Sequence, residues 1–225
     1  MPLEQFDSVW LPAPLQADIP DHEIHLWTAS IQSQTGKHSE KNLSPQEQLQ
    51  FQTIRHNRLR SQFLVGHAMT RQLLSRYLDI PQSRIDLQVS STGKPHIVGT
   101  PIYFNRSHSD DIIILAISKS ASVGVDVERL LPRRQIGAIV ARWFDAAEIE
   151  EFRALPVERQ LSFFYTRWTK KEATLKSWGL GLAQLSEFAK YEPRSWSQAL
   201  APLSGFTGFV AVADTAPRIV KHYTL

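Results

Sequence analysis

Apolar and polar residues alternate in several short segments of the chain, and each alternation predicts a β-strand. "EIHLWTASI", starting at residue 23, is the first of them. "IDLQVS", "IYFN" and "IIILAIS" follow between residues 85 and 118, and "GFVAVA" lies near the C-terminus. Short period-2 runs bounded by glycine, proline and serine are typical of strands joined by tight turns.

One further strand carries two acids. In "SVGVDVERL", at 122–130, the valines are expected on one face, with Asp126 and Glu128 together on the other. Two carboxylates about 4 Å apart repel by roughly 4 kcal/mol at an effective dielectric constant near 20. The pair therefore predicts a cation or a shared proton between the two side chains.

Helical periodicity fills the stretches between the strands. Ser44, Pro45 and Glu47 form a predicted capping box, and apolar residues at helical spacing continue to about residue 79 with one break. A second helical region is predicted from about 135 to 178. The order of strand, helices and strands thus occurs twice, which predicts a pseudo-duplicated, two-lobed α+β fold, each lobe a small antiparallel sheet packed on helices. The lobes are predicted at 1–120 and 121–225.

Composition narrows the class of protein. The chain has 225 residues, 42% of them hydrophobic, with a formal net charge of +3 and no cysteine. Disulfide frameworks, thiolate metal sites and cysteine nucleophiles are therefore excluded. No segment reaches the roughly 18 apolar residues of a membrane span, and no signal-like segment is present, so a cytoplasmic protein without membrane contact is expected. The charge is too small for a dedicated nucleic-acid binder.

The segment "FFYTRWTKKEATLKSWGLGL" predicts the best-defined helix. Glu172 and Lys176 lie one turn apart on it. An isolated pair of this kind is usually a salt bridge on a solvated face.

Taken together, the two segments resemble a known signature. "VGVD" is followed after 41 residues by "WTKKEATLK", a pattern similar to that of the 4'-phosphopantetheinyl transferases. "GKP" at 93–95, "FNRSHS" at 104–109 and "GLGL" at 179–182 resemble further family elements in the family's order. The resemblance covers roughly residues 43–182 and is to the two-lobed Sfp type.

This resemblance implies a site at the junction of the lobes. Asp126, Glu128 and Glu172 are expected to bind Mg2+, which prefers oxygen ligands and usually retains water and substrate phosphate. The first lobe is expected to contact coenzyme A and the second to carry the metal and the catalysis. The residues expected to contact coenzyme A are Arg60, Lys94, Pro95, Ser107, His108 and Lys176.

The resemblance also implies a reaction. A serine hydroxyl of an apo acyl or peptidyl carrier protein attacks the β-phosphorus of coenzyme A, and 3',5'-ADP leaves. Lys176 is expected to stabilise or protonate the leaving group, and His108 to hold phosphate. Glu172, acting directly or through a water, or else a metal-bound water, is the expected base. Because both halves of the site lie in one chain, a monomer is expected.

The sequence leaves alternatives open for the residue that binds the 3'-phosphate and for the function. The basic residue that grips the 3'-phosphate is Arg60 or its substitute Arg58, while Gln62 stands where some members of the family have arginine. Arg106 replaces a residue that is commonly apolar. The rival functions are a metal-dependent nuclease and a carrier-binding module without catalysis. No motif identifies the carrier that is modified.

Overall fold

The computed structural model describes residues 11–12, 17–132, 135–200 and 203–225, and within them three sheets and their helices form two lobes. Each lobe has one main sheet with helices packed on it, and the first lobe also contains a separate two-stranded sheet. The parts of the predicted lobes at 1–10, 13–16, 133–134 and 201–202 lie outside the described residues.

The first lobe is a mixed sheet covered by helices on one face. Its elements are β1 (Leu11–Pro12), β2 (Glu23–Ser30), α1 (Ile31–Gln34), α2 (Pro45–Thr53), α3 (Asn57–Leu78), the hairpin β3 (Leu87–Val89) and β4 (Pro95–Ile97), β5 (Tyr103–Ser109), β6 (Ile112–Ser118) and the C-terminal β10 (Ile219–Thr224). The strand order is β1-β10-β2-β6-β5, and β6 runs antiparallel to both of its neighbours, β2 and β5.

The predicted capping box and the predicted helix break are both present. Ser44 Oγ accepts from Glu47 N at 3.2 Å, and Glu47 Oε2 accepts from Ser44 N at 2.7 Å. The helical stretch is interrupted between Thr53 and Asn57, so that α2 and α3 are separate helices. The local signals at the start of α2 therefore produce the structure that they predict.

Both faces of the first sheet are buried. One face, with Trp27 and Leu115, packs against Val65 and Met69 of α3. The opposite face packs against the sheet of the second lobe. Two-sided burial explains why "IIILAIS" is an unbroken apolar run, because each face of its strand needs apolar residues.

The second lobe is a three-stranded antiparallel sheet with a long helix across it. Its elements are β7 (Val123–Arg129), α4 (Ile136–Trp143), α5 (Ala146–Ala154), α6 (Val157–Ser177), α7 (Phe188–Tyr191), β8 (Trp196–Ala199) and β9 (Phe206–Val212). The strand order is β7-β9-β8. The inner face of this sheet, including Val123, Val125 and Val127, packs on the first sheet.

Helix α6 lies directly on β7, and a glycine permits the contact. A Cβ atom on Gly124 would lie 2.1 Å from the carbonyl oxygen of Ala173 and 2.4 Å from Ser177 N. Both distances are too short for any side chain, so residue 124 must be glycine while the helix keeps this position. The glycine of "VGVD" thus sets the distance between the acid-bearing strand and the helix that carries Glu172 and Lys176.

The C-terminal strand returns to the first lobe. β10 pairs in parallel with β2, and Tyr223 stacks on Trp27 with the ring centroids 4.8 Å apart. The α+β, two-lobed prediction is confirmed, but the antiparallel description is wrong for this edge, because a strand arriving from the second lobe enters in the same direction as β2. The lobe boundary at residue 120 stays a prediction, with residues 219–224 placed in the first sheet by their pairing.

Among the described residues, none of the helices combines the length and the apolar character that crossing a bilayer requires.

Candidate active site

The two lobes meet along a row of polar side chains. Strand β7 is an edge of its sheet, and β5 is an edge of the other. Alternate side chains of β5 accept hydrogen bonds from the free N–H groups of β7. The pairs, donor first, are Val125 N to Asn105 Oδ1 at 2.9 Å, Val127 N to Ser107 Oγ at 3.3 Å and Arg129 N to Ser109 Oγ at 3.0 Å.

We call this row the β5–β7 seam. It satisfies main-chain donors that would otherwise be unpaired at a sheet edge. It also aligns β5 and β7, because the bonds recur at every second residue of both strands. The side chains of Asp126 and Glu128 therefore have defined partners on β5.

Asp126 is buried at the centre of this seam, with 4% of its surface exposed. Its Oδ1 accepts from Ser107 Oγ at 2.9 Å and from Lys176 Nζ at 2.6 Å. Its Oδ2 is buried and has no hydrogen-bond partner among the described residues. Burial raises the pKa of Asp126 to about 7; the charge of Lys176 opposes this rise and the charge of Glu172 adds to it.

Lys176 connects the strand and the helix. Its ammonium nitrogen lies 2.6 Å from Asp126 Oδ1 and 3.2 Å from Glu172 Oε2. Burial alone would lower the pKa of Lys176, but the two carboxylates overcome that effect and raise it. The lysine is therefore a fixed positive charge between two acids, one from β7 and one from α6.

Glu128 follows the same pattern at the outer end of the seam. Ser109 Oγ donates to Glu128 Oε2 at 2.8 Å, as Ser107 does to Asp126. Each predicted strand acid is thus oriented by a serine of β5. Ser109 is not among the predicted site residues, although the period-2 spacing of Asn105, Ser107 and Ser109 is a signal that identifies it.

Among the described residues, no three histidine or acidic side chains are grouped closely enough to hold a metal ion. The chemistry of the site nevertheless fits a hard divalent cation, because the donors are carboxylate oxygens and Asp126 Oδ2 is buried without a partner. The ammonium of Lys176 supplies the positive charge between Asp126 and Glu172. The assignment of Asp126, Glu128 and Glu172 as metal ligands stays a prediction.

His108 is an exposed residue of β5, next to Ser107 of the seam. Partial desolvation lowers its pKa, and the charges of Arg106 and Lys176 lower it further. The imidazole therefore lies in the positive field of both cations. Its predicted role in holding phosphate is untested.

Lys94 lies at the opposite end of the seam. Burial lowers the pKa of Lys94 to about 8. Its ammonium turns towards the C-terminal end of α6, where it lies 2.7 Å from the carbonyl oxygen of Lys176. Lys94 and Pro95 line a cleft of about 540 Å3, which lies between the β3–β4 hairpin and the Trp178–Gly179 segment.

Arg60, the predicted 3'-phosphate residue, is engaged within its own lobe. Its Nη1 donates to the carbonyl oxygens of Phe51 at 3.0 Å and Ile54 at 3.1 Å, so it caps the end of α2. Its guanidinium also lies 3.9 Å from the ring centroid of Phe51. The substitute Arg58 pairs with Asp110 at 2.6 Å.

Arg106 points inward, onto α3. Its Nη1 donates to Thr70 Oγ1 at 3.1 Å, and a Cβ on Gly66 would lie 3.1 Å from the guanidinium carbon. Burial lowers the pKa of Arg106 to about 10, and the charge of Glu47 partly opposes that effect. The buried guanidinium therefore belongs to the packing between β5 and α3.

Family models match both lobes. Residues 122–211 match the 4'-phosphopantetheinyl transferase superfamily, and residues 26–120 match the model described as 4'-phosphopantetheinyl transferase, N-terminal. The two matches meet near residue 120 and together include every predicted site residue.

Individual relatives point in the same direction. The 4'-phosphopantetheinyl transferase HetI of Nostoc sp. is 30% identical over 185 residues, covering 79% of this chain and 78% of that protein. The 4'-phosphopantetheinyl transferase AcpT of Salmonella typhi is 38% identical over 168 residues, covering 74% and 82% respectively. The 4'-phosphopantetheinyl transferase Sfp of Bacillus subtilis is 30% identical over 142 residues, covering 63% and 62%.

Proposed function

Because the chain belongs to the 4'-phosphopantetheinyl transferase superfamily, we propose that it transfers the phosphopantetheine group of coenzyme A to a serine of an apo carrier protein. The protein is an enzyme of this class. We also propose that coenzyme A is the donor, that the transfer depends on Mg2+ and that 3',5'-ADP is released. The nuclease and the inactive binding module are no longer needed to explain the motifs.

The observation that carries the proposal is the cluster of Asp126, Lys176 and Glu172 at the junction of the lobes. A carboxylate from β7 and another from α6 share one ammonium, and Asp126 Oδ2 is buried without a partner among the described residues. A buried, unpartnered oxygen is costly, so its presence supports a role in binding a cation rather than in stabilising the fold.

Asp126, Glu128 and Glu172 would hold Mg2+. When bound, Mg2+ neutralises charge on a pyrophosphate and orients it. Ser107 and Ser109 keep two of the three carboxylates in place through hydrogen bonds of 2.9 Å and 2.8 Å. Preorganised ligands reduce the cost of assembling a site at the moment of binding.

The side chains also supply the remaining chemical roles. The Lys176 ammonium is held beside Asp126 and Glu172 by contacts of 2.6 Å and 3.2 Å. From this position it donates to the phosphate of the leaving 3',5'-ADP. Glu172 accepts the proton of the attacking serine, directly or through a water. The new bond joins the serine oxygen to the β-phosphorus, and the bond from that phosphorus to the oxygen of 3',5'-ADP breaks. His108, near Arg106 and Lys176, binds phosphate.

The nucleotide end of coenzyme A is proposed to occupy the cleft beside the hairpin. Lys94, Pro95 and Tyr103 are among the residues that line this cleft. Ser107 is proposed to contact phosphate at the inner end. Arg60 is proposed to hold the 3'-phosphate.

The partners proposed are apo acyl and peptidyl carrier domains of fatty-acid, polyketide or nonribosomal peptide synthases. These substrates present a serine hydroxyl, which the proposed reaction requires. We further propose that the protein is a monomer, that it acts in the cytoplasm and that neither nucleic acid nor membrane is a partner.

The decisive test is intact-mass analysis of a panel of apo carrier proteins incubated with the protein, coenzyme A and Mg2+. We expect at least one carrier to gain the mass of phosphopantetheine. Asp126→Asn should give no product, whereas Glu47→Gln, which alters a buried acid in the other lobe, should remain active. Absence of product across all three carrier classes, together with Mg2+-dependent nicking of supercoiled DNA, would support the nuclease and overturn the proposal.

The Arg60 assignment has its own test. Coenzyme A and 3'-dephospho-coenzyme A are compared as substrates of the wild type and of Arg60→Gln. If Arg60 binds the 3'-phosphate, the wild type prefers coenzyme A and the variant loses most of that preference. Equal preferences in the two proteins would assign Arg60 only to capping α2.

A further inference from the structure

The C-terminal end of α6 has all four of its terminal carbonyls bonded. The last four carbonyls of a helix lack partners within the helix and need other donors. Thr174 O accepts from Ser177 Oγ at 2.7 Å, and Leu175 O accepts from Trp178 N at 3.0 Å and from Leu180 N at 2.9 Å. These two carbonyls are satisfied by the residues that follow them in the chain.

The last two carbonyls receive donors from distant segments. Lys176 O accepts from Lys94 Nζ at 2.7 Å as well as from Gly179 N at 3.1 Å. Ser177 O accepts from Ser122 Oγ at 2.6 Å and from Lys94 Nζ at 3.3 Å. The helix that carries the proposed catalytic lysine is thus capped by Lys94 of the first lobe together with Ser122 just before β7.

Lys94 also holds the start of β7. Its ammonium donates to Val123 O at 2.8 Å and to Ser122 Oγ at 2.7 Å. An ammonium has three protons, so these two contacts and the one to Lys176 O use all of them, and the contact to Ser177 O is secondary. A positive charge at a helix C-terminus is favourable because of the helix dipole.

We propose that Lys94 is a positioning residue for catalysis, and that its ammonium caps α6 so that Lys176 is held against Asp126. The inference rests on the proposed role of Lys176. The cap acts on the main-chain carbonyl of Lys176 itself, whose side chain lies 2.6 Å from Asp126 Oδ1. One ammonium therefore fixes both the end of α6 and the start of the strand that carries Asp126.

This role differs from the nucleotide contact assigned to Lys94 by the resemblance. Lys94 lines the cleft, but its ammonium is engaged by Lys176 O at 2.7 Å, Ser122 Oγ at 2.7 Å and Val123 O at 2.8 Å. A positioning role predicts a loss of rate, because misplacing a catalytic group by about 1 Å can lower the rate about 100-fold. A nucleotide-binding role predicts a loss of affinity.

The test compares Lys94→Met with Ser122→Ala, which removes the neighbouring donor to Ser177 O. For Lys94→Met we expect the single-turnover rate to fall about 10- to 100-fold, while the calorimetric Kd for coenzyme A changes less than about threefold. Ser122→Ala should show the same split with a smaller loss. Hydrogen exchange at the amides of Trp178, Gly179 and Leu180 should accelerate in both variants.

A double-mutant cycle shows whether Lys94 acts through Lys176. In the Lys176→Ala background, Lys94→Met should cause little further loss of rate, because the group that it positions is absent. The proposal is overturned if Lys94→Met lowers the rate by the same factor with and without Lys176. It is also overturned if coenzyme A binds roughly tenfold more weakly while hydrogen exchange at residues 178–180 is unchanged. Ser122→Ala keeps the proposal falsifiable if Lys94→Met does not fold.

These outcomes separate the inference from the proposed function. If Asp126→Asn transfers phosphopantetheine normally, the proposed site fails whatever Lys94 does. If Asp126→Asn is inactive while Lys94→Met affects only affinity, the site stands and the positioning role fails.

Discussion

Two buried carboxylates, one in each lobe, lie next to cations, but their pKa values are shifted in opposite directions. Glu47 on α2 is 8% exposed, and Asp126 on β7 is 4% exposed. Burial would raise the pKa of Glu47, but hydrogen bonds from His67, Arg71 and the Ser44 N–H overcome it and hold the pKa well below its usual range. The pKa of Asp126 is instead raised by burial to about 7.

The difference lies in how completely each carboxylate is bonded. Glu47 Oε2 accepts from Arg71 Nε at 2.8 Å and from Ser44 N at 2.7 Å, while its Oε1 pairs with His67 Nδ1 at 2.9 Å. Asp126 receives both of its bonds on Oδ1, and Oδ2 has none among the described residues. A satisfied buried acid stabilises a fold, whereas an unsatisfied one is available to a ligand.

The largest expected effect is on activity at Asp126. Asp126→Asn keeps the shape of the side chain but removes its charge, so single-turnover transfer to an apo carrier should fall by about 1,000-fold or more, the magnitude found when a key electrostatic group is lost. The melting temperature in metal-free buffer should stay within about 3 °C, because burial disfavours the charged form of Asp126 in the folded protein and raises its pKa, and because Lys176 keeps Glu172 as a partner. A variant that melts far lower than the wild type would make Asp126 a structural acid like Glu47.

The converse variant is Glu47→Gln. Removing one partner from a buried ion pair costs about 3 to 5 kcal/mol, because Arg71, with its side chain 4% exposed, keeps an unpaired charge. The melting temperature should therefore fall by roughly 6 °C or more. Transfer activity at 25 °C should stay within about threefold of the wild type. Calorimetry and the carrier assay measure both quantities, and a large loss of activity without a loss of stability would contradict the comparison.

The stabilisation by added Mg2+ and coenzyme A should depend on Asp126 and not on Glu47. Mg2+ with coenzyme A at about 100 times the Kd should stabilise the wild type by about 2.7 kcal/mol. Glu47→Gln should show the same increase from its lower starting point, and EDTA should reverse the part due to the metal. Asp126→Asn should lose most of the Mg2+-dependent increase; an undiminished increase would remove Asp126 from the metal site.

The smallest expected effect is a change in protein stability at acidic pH. The pKa of Glu47 is lowered in the folded protein, so its stabilisation is present above its unfolded value of 4.5 and is lost as the pH falls below it. The stability difference between the wild type and Glu47→Gln should therefore shrink as the pH falls below about 4.5, whereas at higher pH the protonation of His67, which lies 2.9 Å from Glu47 Oε1, also contributes to it. Urea unfolding at each pH measures it. A difference that does not shrink below pH 4.5 would show that the carboxylate is not the charged partner of Arg71.

The sequence determined the features that depend on neighbouring residues. The capping box at Ser44 and Glu47 is confirmed because its bonds join residues three apart. The division of "VGVDVE" into an apolar and an acidic face is confirmed, because side chains alternate along any strand. The resemblance assigned Asp126, Glu172 and Lys176 to one site. In the structure these three side chains are in contact, and their roles stay predictions.

The tertiary structure alone decided which distant groups each side chain meets. Lys94 lies 82 positions from the carbonyl that it caps, and Ser109 lies 19 positions from the acid that it orients. β10 joins a strand from the beginning of the chain. No periodicity encodes such pairings, because they depend on how α6 crosses β7 at Gly124 and on which sheet edges meet, and both are properties of the packed lobes rather than of any local segment.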